Sequence, residues 1–174
     1  MHHTNLKNNR FTAKNLTVSF IFYFISSLCC HAGNFEDALK AGNDKNHALE
    51  IYKLKAAAKE NNSNSPHAMN KLGFIYQTGS GVEIDYAEAI RWYRMAARLG
   101  HSNAMFHLGY LFTEGKGVTQ HYETAHMWFN LSASAGDEMA DSVRRKLEKN
   151  MSSQQISNAQ NMALKCQKSN FQNC

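Results

Sequence analysis

The sequence predicts an all-α protein, an α-solenoid of stacked two-helix repeats with a C-terminal capping helix. A 36-residue pattern occupies residues 68–103 and recurs without a gap at residues 104–139. The two copies share 12 identical positions, and their apolar residues follow helical spacing. A fixed period of about 20 to 50 residues is typical of solenoids, in which each unit buries its apolar side against its neighbour. The identical pairs are Ala68/Ala104, Met69/Met105, Leu72/Leu108, Gly73/Gly109, Gly79/Gly115, Gly81/Gly117, Val82/Val118, Tyr86/Tyr122, Ala89/Ala125, Trp92/Trp128, Ala97/Ala133 and Gly100/Gly136.

Each copy is predicted to contain a short helix, a glycine turn and a longer helix. Ser65 is expected to cap the first helix, with Pro66 in its first turn, where a missing N–H is tolerated. Glycines in the run 79–81 end that helix, because glycine readily takes the positive φ angles of a tight turn. Asp85 is the predicted cap of the longer helix, with Glu88 as its capping-box partner. The predicted buried side of that helix consists of Ala89, Trp92, Tyr93, Ala96 and Ala97.

Two glycines, Gly73 and Gly109, lie inside predicted helices, where each costs about 1 kcal/mol relative to alanine. We expect a close approach between helices to compensate, with the tryptophan of a neighbouring helix packed against each glycine. Because Trp92 and Trp128 recur at the repeat period, they are interpreted as core residues.

The order of these residues resembles a known repeat. From Ala68 to Gly100 it reads A-x-x-x-L-G-x-x-Y-x-x-G-x-G-V-x-x-D-Y-x-x-A-x-x-W-Y-x-x-A-A-x-x-G, which is similar to the Sel-one-like repeat, a relative of the tetratricopeptide repeat. The resemblance is strong over residues 68–139 and weak over 33–67. It implies an α-solenoid that serves as an adaptor in protein complexes, and in bacteria many such proteins are exported. The second copy departs from the pattern at Phe112, His121, Phe129 and Ser132, and His121 leaves the cap of its helix open.

Weaker units are predicted on both sides of the two copies. Residues 33–67 form a degenerate first repeat, and residues 140–174 form C-terminal capping helices and a tail. Arg144 and Arg145 replace the leucine–glycine pair of the repeats, as expected of a terminal unit with a polar outer side. In the first unit, Ala48, Ile51, Tyr52, Lys55 and Ala56 follow the spacing of the buried residues 89–97. In the last helix, a Ser152–Gln155 capping box precedes a stripe of Ile156, Ala159, Met162, Ala163 and Cys166.

Residues 1–32 are interpreted as a secretory signal peptide that is cleaved after Ala32. Three basic residues precede an apolar stretch of 15 residues, and small residues occupy the positions before the cleavage point. An uncleaved anchor is the alternative, although the stretch is shorter than the about 20 residues of a membrane span. The prediction is therefore an exported protein, periplasmic or secreted, without a membrane span after cleavage.

Charge and cysteine content change once residues 1–32 are set aside. The whole chain carries +5, and the remainder has 16 basic and 14 acidic residues, a formal charge of +2. No nucleic-acid partner is predicted, because proteins that bind nucleic acids usually show a clustered basic patch. The basic run 144–146 with Lys149 is interpreted as a solvated helix face.

Cys166 and Cys174 are predicted to form a disulfide in an oxidising compartment, and two free thiols with a frayed tail are the alternative.

No catalytic residues, metal ligands or cofactors are predicted. The chain has no nucleophile elbow and no phosphate-binding loop. His101, His107, His121 and His126 lie within 26 residues, but they lack the i, i+4 spacing of a metal-binding helix. They are interpreted as polar surface positions that vary between repeats.

The predicted function is binding of a protein or peptide in a concave groove lined by the first helix of each repeat, in an envelope adaptor or modulator. Aromatic residues in this row are typical of binding hot spots, and packing of some of them between repeats is the alternative. A cell-wall-active or other hydrolase, and a secreted effector acting on a host protein, are the alternative functions. The predicted partner-binding residues are Asn70, Lys71, Phe74, Gln77, Phe106, His107, Tyr110 and Thr113.

Overall fold

The computed structural model describes residues 45–60, 62–172 and 174. The predicted signal peptide and the first part of the degenerate repeat, residues 33–44, lie outside the described residues. The described part of the chain contains only helices, which confirms the all-α class. Its seven helices are α1 Lys45–Lys59, α2 Ser65–Thr78, α3 Tyr86–Arg98, α4 Ser102–Glu114, α5 Tyr122–Ser134, α6 Glu138–Glu148 and α7 Ser153–Lys168.

The helices pack as stacked pairs. The most extensive contacts join α2 to α3 and α4 to α5, the two helices of each repeat. Contacts between α1 and α2 and between α3 and α4 join each pair to what precedes it, and α5 also packs against α6 and α7. The solenoid of two-helix repeats and the capping role of the last helix are thus confirmed.

Most of the predicted helix starts are correct. The Asp85 side chain accepts a hydrogen bond from the Glu88 N–H at 2.9 Å, and Ser152 and Gln155 form a complete capping box. In the second repeat, His121 fills the place of the aspartate: its Nδ1 accepts from the Thr124 N–H at 3.2 Å. An imidazole nitrogen therefore replaces a carboxylate as the cap of α5.

Two expectations about helix starts were wrong. Ser65 does not cap α2; it is the first residue of that helix and is fully buried. Its hydroxyl donates to the Ala57 carbonyl at 3.1 Å and so ties the start of α2 to the end of α1. The Glu88 carboxylate does not complete a capping box but forms a two-pronged pair with Arg91 at 2.7 and 2.9 Å.

The helical glycines do mark close approaches, but not to tryptophan. A Cβ atom on Gly73 would lie 2.6 Å from the ring of Tyr93, and one on Gly109 would lie 2.7 Å from the ring of Phe129. Both rings are fully buried. The glycines thus let the two helices of one repeat approach until an aromatic ring rests on backbone, while Trp92 and Trp128 lie elsewhere in the core.

A second pair of glycines sets the spacing between repeats. Gly81 and Gly117 have φ angles of 75° and 71°, which favour glycine. A Cβ atom on Gly81 would lie 2.3 Å from the Cβ atom of His47, and one on Gly117 would lie 2.5 Å from that of Tyr86. Since His47 is in α1 and Tyr86 is in α3, α1 bears the same relation to the first repeat as α3 does to the second.

This correspondence shows that the predicted register of α1 was wrong. The prediction aligned Tyr52 with Tyr93, yet Tyr52 is 63% exposed. Aligning His47 with Tyr86 instead places Leu54 at the position of Tyr93, and Leu54 packs against the core. The spacing of apolar residues in so short a helix allowed both registers, and the contact with the Gly81 turn selects one.

A polar network joins α5 to α6, and it corrects two predictions. His126 is fully buried rather than on the surface, and its Nε2 lies 2.8 Å from a carboxylate oxygen of Glu148. Arg144 also pairs with Glu148 and with Asp141, and its side chain is only 19% exposed, so it does not belong to a solvated face. In the second repeat this network replaces an apolar contact, because His126 occupies the position that Ile90 holds in the first repeat.

Cys166 and Cys174 form a disulfide, with their Cα atoms 5.1 Å apart. Cys166 is buried on α7, and the chain after it turns back so that Phe171 packs against the main core. The Phe171 N–H donates to the Cys166 carbonyl at 3.0 Å. The disulfide therefore ties the tail to α7, and the packing of Phe171 holds the tail against the core. Across the described ranges, every helix is too short or too polar to traverse a bilayer.

Candidate functional site

The predicted binding residues lie on α2 and α4, the first helices of the two repeats. We call the surface formed by the eight residues the α2–α4 face. The structure places them in two groups that differ in exposure, so they do not all present side chains to a partner. Phe74, Tyr110 and Lys71 are exposed, whereas Asn70, Gln77, Phe106, His107 and Thr113 are half-buried.

The two most prominent side chains of the α2–α4 face are aromatic. Phe74 is 47% exposed and Tyr110 is 38% exposed. They occupy equivalent positions of successive repeats, 36 residues apart in the sequence. The Lys116 ammonium lies 5.4 Å from the centre of the Tyr110 ring, where a cation is attracted to the ring face. Each repeat therefore contributes one exposed aromatic ring at the same point of its first helix.

A partly buried group of side chains lies next to the Phe74 ring. The imidazole of His107 stacks on Tyr93, with ring centres 4.8 Å apart and planes 15° apart, and it also approaches Phe74 at 6.1 Å. The Tyr93 hydroxyl donates to the Gln77 side-chain oxygen at 2.6 Å. Burial raises the pKa of Tyr93, so its hydroxyl keeps the proton that this hydrogen bond needs.

Phe106 packs within the second repeat, and Thr113 forms a hydrogen bond within α4. Phe106 meets Phe129 edge to face with ring centres 5.4 Å apart, and the Thr113 hydroxyl donates to the Gly109 carbonyl at 2.9 Å. The Phe106 ring therefore packs against α5, the other helix of its own repeat.

Polar groups border the aromatic residues on α2. The Oδ1 atom of Asn70 is buried and has no hydrogen-bond partner among the described residues. Unpaired buried acceptors are rare in folded proteins, and in this conformation the surface of the atom is covered by the protein itself. The ammonium of Lys71 pairs with Glu50 of α1 at 2.6 Å, although 58% of its side chain stays exposed.

Two histidines connect the starts of α2 and α4. His101 is the cap of α4, and its Nδ1 accepts from the Ala104 N–H at 3.4 Å. Its Nε2 must then carry the proton, and it donates to Nδ1 of His67 at 3.0 Å. In this arrangement Nδ1 of each imidazole accepts a hydrogen bond. The sequence offered no signal for this contact, because the two residues are 34 positions apart and the equivalent cap one repeat later is an aspartate, Asp137.

Burial is the main cause of the lowered pKa values along this edge. It lowers the pKa of His101, and the nearby His67 lowers it further. Burial also lowers the pKa of His107, an effect that Asp137 opposes and His101 reinforces. These histidines therefore stay neutral at a pH where an exposed histidine would begin to gain a proton.

The described residues contain no group of three or more histidine, cysteine or acidic side chains placed to hold a metal ion. His126 and Glu148 form a histidine–carboxylate pair of the kind used in acid–base catalysis, but His126 is fully buried. Because a substrate has no access to this imidazole, the geometry indicates a structural role for the pair.

Comparison with known families agrees with the repeat geometry. The family model described as the Sel1 repeat matches residues 66–101 and again residues 102–137. The protein contains two Sel1 repeats. The resemblance inferred from the motif is thereby confirmed, and each Sel1 match contains one of the helix pairs, α2 with α3 and α4 with α5.

Solved structures with Sel1-type folds are similar to this chain. One is a protective antigen present in uropathogenic Escherichia coli strains, which displays an SLR fold; it has a TM-score of 0.65 and 23% identity, and the match covers 80% of this chain and 30% of the antigen. A Sel1 repeat protein from Oxalobacter formigenes has a TM-score of 0.47 and 28% identity, covering 57% of this chain and 45% of that one. This chain spans less than half of either structure. No curated protein sequence matches it.

Sel1 repeats generally mediate protein interactions, and proteins built from them are generally non-catalytic scaffolds. The family therefore indicates a protein–protein interaction module. It does not identify the partner or the surface that binds it.

Proposed function

We propose that this protein is an exported adaptor that binds a peptide or protein segment along the α2–α4 face. The observation that carries the proposal is the exposure of Phe74 and Tyr110 at equivalent points of successive repeats. Aromatic residues are enriched among the residues that dominate binding energies, and a rigid ring loses little entropy when it is covered. Two rings presented by two stacked repeats suit a partner that lies across both helices.

Export is proposed on two grounds. Residues 1–32 have the pattern of a secretory signal. The Cys166–Cys174 disulfide is of the kind that persists in oxidising compartments and is rare in the cytosol of mesophiles. A fusion of residues 1–32 to alkaline phosphatase, an enzyme active only after export, tests this part. An inactive fusion would contradict it.

Site-specific photo-crosslinking in cells tests the binding face. A photoreactive phenylalanine analogue replaces Phe74 in one variant and Tyr110 in another, and Leu164 of α7 in a matched control, since Leu164 is a similarly exposed apolar residue at 54%. We expect positions 74 and 110 to capture the same partner, and position 164 not to capture it. Equal capture at all three positions, or different partners at 74 and 110, would contradict the proposal.

A double variant, Phe74→Ala with Tyr110→Ala, then measures affinity for the captured partner. We expect it to weaken binding by 2 kcal/mol or more, about 30-fold, as for paired hot-spot residues. Leu164→Ala should leave the affinity unchanged. Both rings are partly exposed, so their removal should shift the stability of the fold only slightly, and circular dichroism of the variants checks this.

A further inference from the structure

A small cavity lies where α3, α5 and the disulfide-closed tail meet, and we call it the Arg–Trp cavity. Its volume is about 50 Å³, enough for more than one water molecule. Two arginines and a tryptophan line it on the side of the repeats, and the tail closes it from the other side. The lining residues are Arg94, Arg98, Trp128, Phe171, Gln172 and Cys174.

The ring of Trp128 lines this cavity, while its indole nitrogen is covered by protein. Trp128 is 2% exposed, and its Nε1 is buried without a hydrogen-bond partner in the described part of the chain. An indole N–H can only donate, so it needs an acceptor. Trp92 of the first repeat has the same unpaired atom, which indicates that the repeat packing itself supplies no acceptor. Trp128 differs in that two guanidinium groups line a cavity together with it.

The two arginines are also unused. Arg94 and Arg98 lie one turn apart on α3, both exposed, and neither forms a hydrogen bond or an ion pair with a described residue. By contrast, the neighbouring Arg91 is held by Glu88. A charge at the end of a helix has a favourable interaction with the helix dipole, which explains Arg98 but not Arg94, one turn earlier. The repeat pattern does not require them either, since the equivalent positions 130 and 134 are asparagine and serine.

We propose that the Arg–Trp cavity binds a compact oxyanion, a carboxylate or a phosphate group. Guanidinium groups match the geometry of both anions and donate charge-assisted hydrogen bonds to them. Phe171, Gln172 and Cys174 of the tail form part of its wall, and the Cys166–Cys174 bond ties this segment to α7. It is separate from the α2–α4 face and shares none of its residues.

The two tryptophans make a direct test possible. The chain contains only two, so its ¹H–¹⁵N spectrum has two indole N–H resonances, which Trp92→Phe and Trp128→Phe assign. Sodium phosphate and sodium acetate are titrated separately at pH 7 and constant ionic strength, with chloride as the balancing anion. We expect the Trp128 resonance to shift and saturate with at least one of the two anions while the Trp92 resonance stays in place. The anion that acts distinguishes phosphate from carboxylate recognition.

The arginines are tested in the same titration. Arg94→Gln with Arg98→Gln should weaken binding at least about tenfold, which corresponds to about 1.4 kcal/mol. Arg91→Gln is the matched control, because it removes a charge from the same helix without touching the Arg–Trp cavity, and it should bind as the wild type does. The proposal is wrong if neither anion shifts the Trp128 resonance, if both indole resonances shift equally, or if the double glutamine variant responds as the wild type does.

Discussion

Replacing Gly109 by alanine should destabilise the protein, although alanine is the better helix former. In an open helix this change would stabilise by about 1 kcal/mol. Here the new Cβ atom would lie 2.7 Å from the ring of Phe129, where ordinary carbon contacts are about 3.5 to 4.0 Å. Phe129 is fully buried and is flanked by Phe106 at 5.4 Å, so its ring has little room to retreat. Overpacking of this kind costs about 1 to 3 kcal/mol. After the gain in helix propensity is subtracted, a net loss of up to about 2 kcal/mol is expected.

A second substitution separates the clash from other causes. Phe129→Leu removes the ring that the new methyl group would meet and destabilises by itself through the cavity that it leaves. In the Phe129→Leu background, Gly109→Ala should then be neutral or stabilising by up to about 1 kcal/mol, because only the gain in helix propensity remains.

Equilibrium urea unfolding of the four proteins measures these effects, with the midpoint read at an unchanged m value. Gly73→Ala tests the same effect in the first repeat, since its Cβ atom would lie 2.6 Å from the ring of Tyr93. If Gly109→Ala raises the midpoint in the wild-type background, or lowers it equally in both backgrounds, the close approach does not explain the glycine.

Two further predictions concern the tail and the histidine edge. Cys174→Ser should lower the free energy of unfolding by up to about 3 kcal/mol in the loop-entropy model, because the bond closes a loop between residues only 8 apart. Without the disulfide, the free energy of unfolding should no longer respond to reductant. A reductant effect that persists in the variant would contradict this. The pKa values of His101 and His107 are lowered in the fold, so the unfolded chain binds more protons below the ordinary histidine pKa of about 6.5. Their contribution to the free energy of unfolding should therefore be fully present above about pH 6.5 and decrease as the pH falls. His101→Asn keeps a capping oxygen, and the difference between its free energies of unfolding at pH 7 and pH 5, measured with urea, should be smaller than in the wild type. Equal differences would exclude His101 as a cause.

The candidate binding face could be predicted only in part. Equivalent positions on successive first helices identified Phe74 and Tyr110 as exposed, since the repeat period carries that information. Whether the other predicted residues are exposed or packed depends on side chains that are distant in the sequence. His107 stacks on Tyr93, and Phe106 packs against Phe129. The Arg–Trp cavity was not predictable, because it joins α3 and α5 to a tail that a disulfide returns to the repeats.

The sequence by itself determined the helices, their pairing and the number of full repeats, because a period of 36 residues with placed glycines encodes each unit locally and twice. Tertiary structure decided what a single side chain does within that frame. Ser65 was expected to be a cap and is a buried link to α1, and His126 was expected on the surface and is buried beside Glu148. The physical reason is that a hydroxyl or an imidazole can satisfy its hydrogen bonds either locally or across helices. Which of the two it does depends on neighbours far away in the chain.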